Sequence, residues 1–318
     1  RDRDKTPKDR LYPDVYFKTE DELRLFTNQF YNNLVPSAVD IYSESSDLIV
    51  KSDLMLEMSG QRIIPDEGNG WNFTALRDIN FYLQYSHNCT EVNARNRYDG
   101  VARFFRAYFY FEKVKRYGDI PWYDKALDSD DPELYKARDS REFVMQKMLE
   151  DLDFAIANLP KTKNAYVLTR WTALALKSRV CLFEGTFRKY HGLEDCEKYL
   201  NACVSASETF MNESGYTLYK SGSTPYRDLF ASINLQADEV IFGRDYEASL
   251  SVLHNVQNYE NSTTMGRPGM NKKIVNSYLM ADGSRFTDKA GYETMTFDQE
   301  CQNRDPRLAQ TIRTPGYT

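Results

Sequence analysis

Only three histidines occur in the chain, His87, His191 and His254, and no two of them stand at a metal-ligand spacing. The five cysteines, Cys89, Cys181, Cys196, Cys203 and Cys301, are odd in number and widely spaced. None forms a Cys-x-x-Cys pair, so zinc and thioredoxin chemistry lack a motif. Cys181, set among Val180, Leu182 and Phe183, reads as a small buried hydrophobe. There is no Gly-x-Ser-x-Gly elbow and no glycine-rich phosphate loop, and nothing in the motifs calls for a cofactor. No run of 18 apolar residues exists, which excludes a transmembrane helix. Excess positive charge is missing too: the net charge is −6, whereas a nucleic-acid partner would demand a basic surface. No signal peptide leads the chain, which opens on Arg1-Asp2-Arg3-Asp4 in the manner of a mature or trimmed start.

What the chain has in quantity is aromatic side chains, densest in residues 100–121, GVARFFRAYFYFEKVKRYGDIP. Val101, Phe104, Phe105, Tyr108, Phe111 and Val114 recur at steps of three and four, the period of one helix face. Ala102, Phe109 and Tyr110 fill another face, so the helix has to be covered on more than one side. Gly118 and Pro121 stop it after the basic residues Lys113, Lys115 and Arg116. The pattern predicts a helix over 91–117, with Arg106 buried in it and paired with a carboxylate.

Other helices are expected around it. Thr19 and Glu22 form a capping box ahead of Leu23, Phe26, Phe30 and Leu34, and Pro36 closes that segment. Further helices are predicted over 73–87, along the stripe Val144, Met148, Leu152, Ala155 and Leu159, over 171–187, and over 194–212 with Gly215 as cap. Segments 43–70 and 124–139 are polar and irregular. Antiparallel pairs with short links make the fold mostly α, an α-solenoid or tetratricopeptide-like stack, although no strict 34-residue repeat is readable. From residue 216 the pattern changes to turns, short helices and a short strand at 240–242. The division is therefore a helical region over 1–215 and a loop-rich region over 216–318 carrying irregular insertions.

Two loops carry candidate ligand contacts. Residues 62–72 place Trp71 beside Arg62, Asp66, Glu67, Asn69 and Asn72, on backbone loosened by Gly68 and Gly70. Sugar binding needs that mixture: an aromatic face covers the C–H patch of a pyranose while amides, carboxylates and Arg read its hydroxyls. Trp71 equally fits as a staple fixing the start of the next helix on the core. Tyr259, Asn261 and Arg267 lie in the second loop, 255–270, which also reads as a solvated connector. Trp122 is either a third exposed ring or a wedge against the preceding helix. Asp66 and Glu67 are adjacent, so their carboxylates diverge on an extended loop, and no acid–base pair for glycosidic cleavage stands out. The segment 128–133 is rich in carboxylates but lacks the glycine and spacing of an EF-hand.

The stretch RAYFYFEKVKRYGDIP resembles the signature helix of the SusD/RagB family. Other elements similar to that family follow in order: 19–23 after Tyr16 and Phe17; 71–83 with its Arg77-Asp78-Ile79-Asn80 core; 140–142, 151–156 and 159–160; 169–179 and 182–186; 239–242; Asp282-Gly283; and 304–308. The resemblance implies a tetratricopeptide-like scaffold whose loops carry the ligand face, with Trp71 the first choice for a glycan-contacting ring and the 255–270 loop near it. It implies a non-catalytic cell-surface protein of Bacteroidetes-type bacteria that binds oligosaccharide or polysaccharide and acts as a lid on a SusC-like TonB-dependent transporter. It also implies an outer-membrane lipoprotein; no cysteine precedes Cys89, so the lipid-bearing residue is not in this chain. Family chains are longer, and a fragment is expected. RagB-like members leave peptide binding open as an alternative, and a glycan-cleaving enzyme is a weaker one.

Overall fold

Thr19 opens the first helix as expected. Its hydroxyl accepts from the Glu22 N–H at 3.3 Å while the Glu22 carboxylate accepts from the Thr19 N–H at 3.2 Å. The computed structural model describes residues 15–36, 48–50, 56–66, 68, 70–254, 256 and 269–317. Two units are distinct. The first comprises Arg1–Val35, Gly70–Tyr216 and Val240–Gly243, the second Pro36–Asn69, Thr217–Glu239 and Arg244–Thr318. Among the described residues no helix is long and apolar enough to cross a membrane.

Among its described residues the first unit is a stack of six helices: α1 (Glu20–Leu34), α2 (Thr74–Tyr85), α3 (Val92–Tyr117), α4 (Arg141–Asn158), α5 (Arg170–Tyr190) and α6 (Cys196–Glu213). The aromatic helix α3 is its axis, with Ala102, Phe104, Phe105, Ala107, Phe109, Tyr110 and Phe111 all buried. It ends at Gly118, whose φ of 69° suits glycine and whose N–H reaches Val114 O at 3.0 Å. On the other side of the core, Phe17 sits fully buried at a φ of 65°, edge-on to Phe26 and Tyr82. That backbone is costly for a bulky residue, and the surrounding rings hold it.

Side-chain partners show how the helices run. Arg106 on α3 meets Asp151 on α4, and Gly100 faces Leu159 just beyond α4; rising numbers on one pair with falling numbers on the other. Arg141 and Asp153 of α4 meet Glu184 and Lys177 of α5, and Ser178 and Gly185 of α5 meet Ser207 and Leu200 of α6. All three neighbours are therefore antiparallel, and the mostly α, tetratricopeptide-like pairing expected from the sequence is present. Arg106 is buried against a carboxylate and Cys181 is fully buried, its thiol pushed up to about 12 by burial.

The expected strand at 240–242 does not form. The segment lies extended on the first unit, where Gly243 N–H donates to Ala165 O at 2.8 Å, Phe242 packs on Tyr31, and Ile241 packs near Trp171 and Leu174. Its apolar side chains are satisfied by packing and no ladder of backbone bonds develops.

Among its described residues the second unit has little regular structure. Strands β1 (Ile49–Val50) and β2 (Gly269–Met270) pair antiparallel over two residues. Among the described residues a helical turn at Leu56–Ser59 and four short helices, α7 (Pro225–Ala231), α8 (Lys272–Ser277), α9 (Phe297–Cys301) and α10 (Pro306–Thr311), belong to this unit. Arg304 ties several of them together. Its guanidinium lies 3.9 Å over Phe286 and donates to Glu300 O at 2.7 Å, Val275 O at 2.7 Å and Tyr278 O at 2.8 Å. Next to it, the Asp305 carboxylate accepts from the Arg307 N–H at 2.9 Å and caps α10.

Candidate functional site

The sharp end of α3 creates the site. After Gly118 the chain turns back, and Ile120 N–H bonds Asp139 O at 3.1 Å, so residues 120–139 form a loop closed at its base. Pro121, Trp122 and Tyr123 are drawn under this loop against α3. Trp122 is buried and stacked on Tyr110 at 4.3 Å, with the Arg106 guanidinium 5.1 Å over its ring. It is the wedge that the sequence allowed, and not an exposed ring.

A buried polar network fixes the loop. Asp151 accepts two bonds from Arg106, at 2.7 and 2.8 Å, and one from Arg103 at 2.7 Å. Arg106 also donates to the Asn80 side-chain oxygen at 3.2 Å, and the Asn80 amide donates to Tyr123 O at 2.9 Å and Lys125 O at 3.3 Å. The Tyr110 hydroxyl accepts from the Tyr123 N–H at 2.6 Å and donates to Pro121 O at 3.2 Å. Burial raises the pKa of that phenol well above its ordinary value, so it stays a neutral bridge.

Between the loop and α2 lies a cavity of about 520 Å³. Phe73, Leu76, Tyr123, Leu127 and Leu134 give it an apolar wall, and Arg77, Lys125, Lys136 and Arg138 bring cations to it. Trp71 lines it with 39% of its surface exposed. The indole stands edge-to-face with Phe73 and Tyr117, at 5.3 and 4.9 Å, and Arg138 lies 4.9 Å over one of its faces. Gly70 sets its entry: at a φ of 85° its carbonyl accepts from the Lys113 ammonium and from the Asn72 N–H. Burial lowers the Lys113 pKa, with the Arg116 charge adding to the shift. Trp71 thus braces the start of α2 and also presents itself to the cavity.

The other candidates are distributed differently. Asn72 points its side-chain oxygen at the Thr74 N–H, 2.8 Å away, in a local turn, and does not line the cavity. Arg62 and Asp66 are exposed in the second unit. Asn69, Glu67, Tyr259, Asn261 and Arg267 lie outside the described residues. In the acidic segment, Asp131 caps the turn Pro132–Tyr135 through the Glu133 N–H at 2.9 Å, and Glu133 pairs with Lys125 at 2.7 Å. Among the described residues no cluster of three or more His, Cys, Asp or Glu comes together to hold a metal. Among the described residues no carboxylate lines the cavity.

Sequence reasoning missed Phe73, Tyr123 and Arg138. Tyr123 follows Pro121 and Trp122 directly and carries that much of a signal. Arg138 carries none, because its position depends on how the loop closes.

Residues 57–170 match a family profile described as starch-binding associating with outer membrane, and residues 206–318 match that of the SusD family. These segments take in well over half of the chain, which belongs to the SusD/RagB family. A SusD-like protein of Formosa agariphila is 29% identical over 87 residues, 27% of this chain and 17% of that one. A SusD-like protein of Bacteroides fragilis superposes with a TM-score of 0.73 at 21% identity, covering 96% of this chain and 62% of that one. A SusD-like carbohydrate-binding protein of the same organism gives 0.70 at 16% identity, covering 92% and 59%. The chain spans less than two thirds of the length of these solved relatives, and at such identities they establish the fold.

Proposed function

We propose that the protein is a non-catalytic glycan-binding protein of the cell surface, with a saccharide seated in the cavity between α2 and the 120–139 loop. The observation that carries this reading is the composition of that cavity: the rings of Trp71, Phe73 and Tyr123 line it together with the polar groups of Arg77, Lys125, Lys136 and Arg138, in a space that suits a short stretch of pyranose units. Support also comes from the family profile described as starch-binding and from the solved relative named as carbohydrate-binding. Arg62 and Asp66, exposed in the second unit, are kept as hydroxyl-reading candidates of that unit by itself. Asn80 is not one of them, since the Arg106 side chain and two loop carbonyls already occupy its amide.

In the same reading the protein is held at the outer membrane by an N-terminal lipid and passes its saccharide to a SusC-like TonB-dependent transporter. Individual sites of this kind bind in roughly the millimolar to micromolar range, about −4 to −8 kcal/mol. The test is affinity electrophoresis of the purified chain in gels containing plant, fungal and host polysaccharides, with peptides titrated in parallel by calorimetry. Retardation by a polysaccharide whose reducing ends do not increase is the expected result. Binding of peptides alone would replace the glycan reading with a peptide-uptake one, and release of reducing ends would make the protein an enzyme.

A further inference from the structure

The chain as a whole is acidic, at −6, yet the cavity reverses the sign: among the described residues four cations line it and no carboxylate does. Three of those cations have acidic neighbours set back from the cavity. Lys125 pairs with Glu133 at 2.7 Å, Lys136 with Asp139 at 3.0 Å, and Arg77 stands 4.0 Å from Asp128. Arg138 differs. Among the described residues it has no ion pair, and it is held by two long bonds to carbonyls at the end of α3, 3.5 Å to Tyr117 O and 3.4 Å to Asp119 O. It is exposed, and its guanidinium lies over the Trp71 indole at 4.9 Å.

A guanidinium anchored in this way presents a planar fork of donors that it has not used, and such a fork matches an oxyanion held bidentately. From this we infer that the saccharide is anionic, a glycan bearing uronate carboxylates or sulfate esters, with its acidic group bound by Arg138. A sugar ring carrying that group would then lie within reach of the indole beneath the guanidinium. The remaining cations of the cavity add attraction that falls with salt. This inference rests on the glycan reading above and narrows it to a substrate class.

Calorimetry on the intact chain tests it. The probes are oligosaccharides of galacturonate and of mannuronate, the same oligosaccharides after carboxyl reduction to neutral sugars, and a sulfated galacto-oligosaccharide. An acidic probe is expected to bind about tenfold or more tightly than its neutral counterpart, the ratio shrinking as salt rises. Arg138→Gln is expected to abolish that ratio, and Arg138→Lys, which keeps the charge but loses the fork, to restore part of it; unchanged thermal unfolding confirms both variants as folded. Preference for carboxylate or for sulfate names which anion is read, and either supports the inference. Neutral probes bound as well as acidic ones, or a ratio unmoved in Arg138→Gln, would overturn it while the glycan reading stands. Silence towards every probe and every polysaccharide would overturn both.

Discussion

Arg106 and Asp151 meet through two hydrogen bonds of 2.7 and 2.8 Å in the middle of the helical stack, and both are almost wholly buried. The pair joins α3 to α4, and through Asn80 it also sets the carbonyls of Tyr123 and Lys125 that shape the cavity. Removing one partner strands the other's charge in the core. Asp151→Asn should therefore cost about 3–5 kcal/mol of folding stability, read from urea unfolding midpoints. Replacing both residues with apolar groups of similar volume should cost less, because the buried Arg106 charge is removed with its partner and only the part-exposed Arg103 loses its carboxylate. If Asp151→Asn unfolds at the same midpoint as the parent, the pair is not what locks these helices.

Trp71 is half-exposed, so its removal should be felt in binding before it is felt in folding. Trp71→Ala is expected to weaken the best polysaccharide by roughly tenfold or more, a loss typical of a central aromatic contact. Its thermal midpoint should fall by several degrees with the fold kept, because edge-on contacts with Phe73 and Tyr117 are worth about 0.5–1.5 kcal/mol each. Equal affinity in the variant and the parent would leave the indole with its bracing role alone.

Gly185 on α5 brings α6 close. A Cβ at this position would sit 2.7 Å from both Cγ and Cδ2 of Leu200 and 3.1 Å from its backbone nitrogen. Gly185→Ala should thus destabilise by about 1–3 kcal/mol through overpacking, against the usual gain of alanine in a helix. Trimming the opposing side chain in Gly185→Ala/Leu200→Ala should recover part of that loss, giving a non-additive double-mutant cycle in denaturation experiments. Strict additivity would place the strain elsewhere.

The helices were legible because their signals are local. The Thr19–Glu22 box, the three-and-four spacing from Val101 to Val114 and the stop at Gly118 each act within a few residues, and each reappears in the structure. The buried Arg106 was legible for a related reason: a cation inside an aromatic face has to be paired. The cavity was not. Tyr123, Leu127 and Arg138 reach it only because Ile120 and Asp139 close the loop, and that closure is a long-range backbone contact with no sequence period. Residues 240–242 misled because a short apolar run has the same composition whether it pairs as a strand or packs extended against helices.

Glu142 offers a test of electrostatics away from the cavity. Its carboxylate receives Arg188 at 2.6 Å, Lys198 at 3.0 Å and the Tyr199 hydroxyl at 3.0 Å. Burial alone would raise its pKa. The hydrogen bonds from Lys198 and Tyr199, together with the charges of Arg188 and Lys198, outweigh that and hold it below the ordinary value of 4.5. A carboxyl depressed in the folded state contributes stability above its unfolded pKa and loses it as pH falls through the folded one. The side chain is 41% exposed, so solvent screening keeps the effect modest. Urea midpoints of the parent and Glu142→Gln, taken from pH 7 down to pH 3, should differ most above about pH 5 and converge toward pH 3. A difference that stays constant over the whole range would show that packing at this position matters and its charge does not.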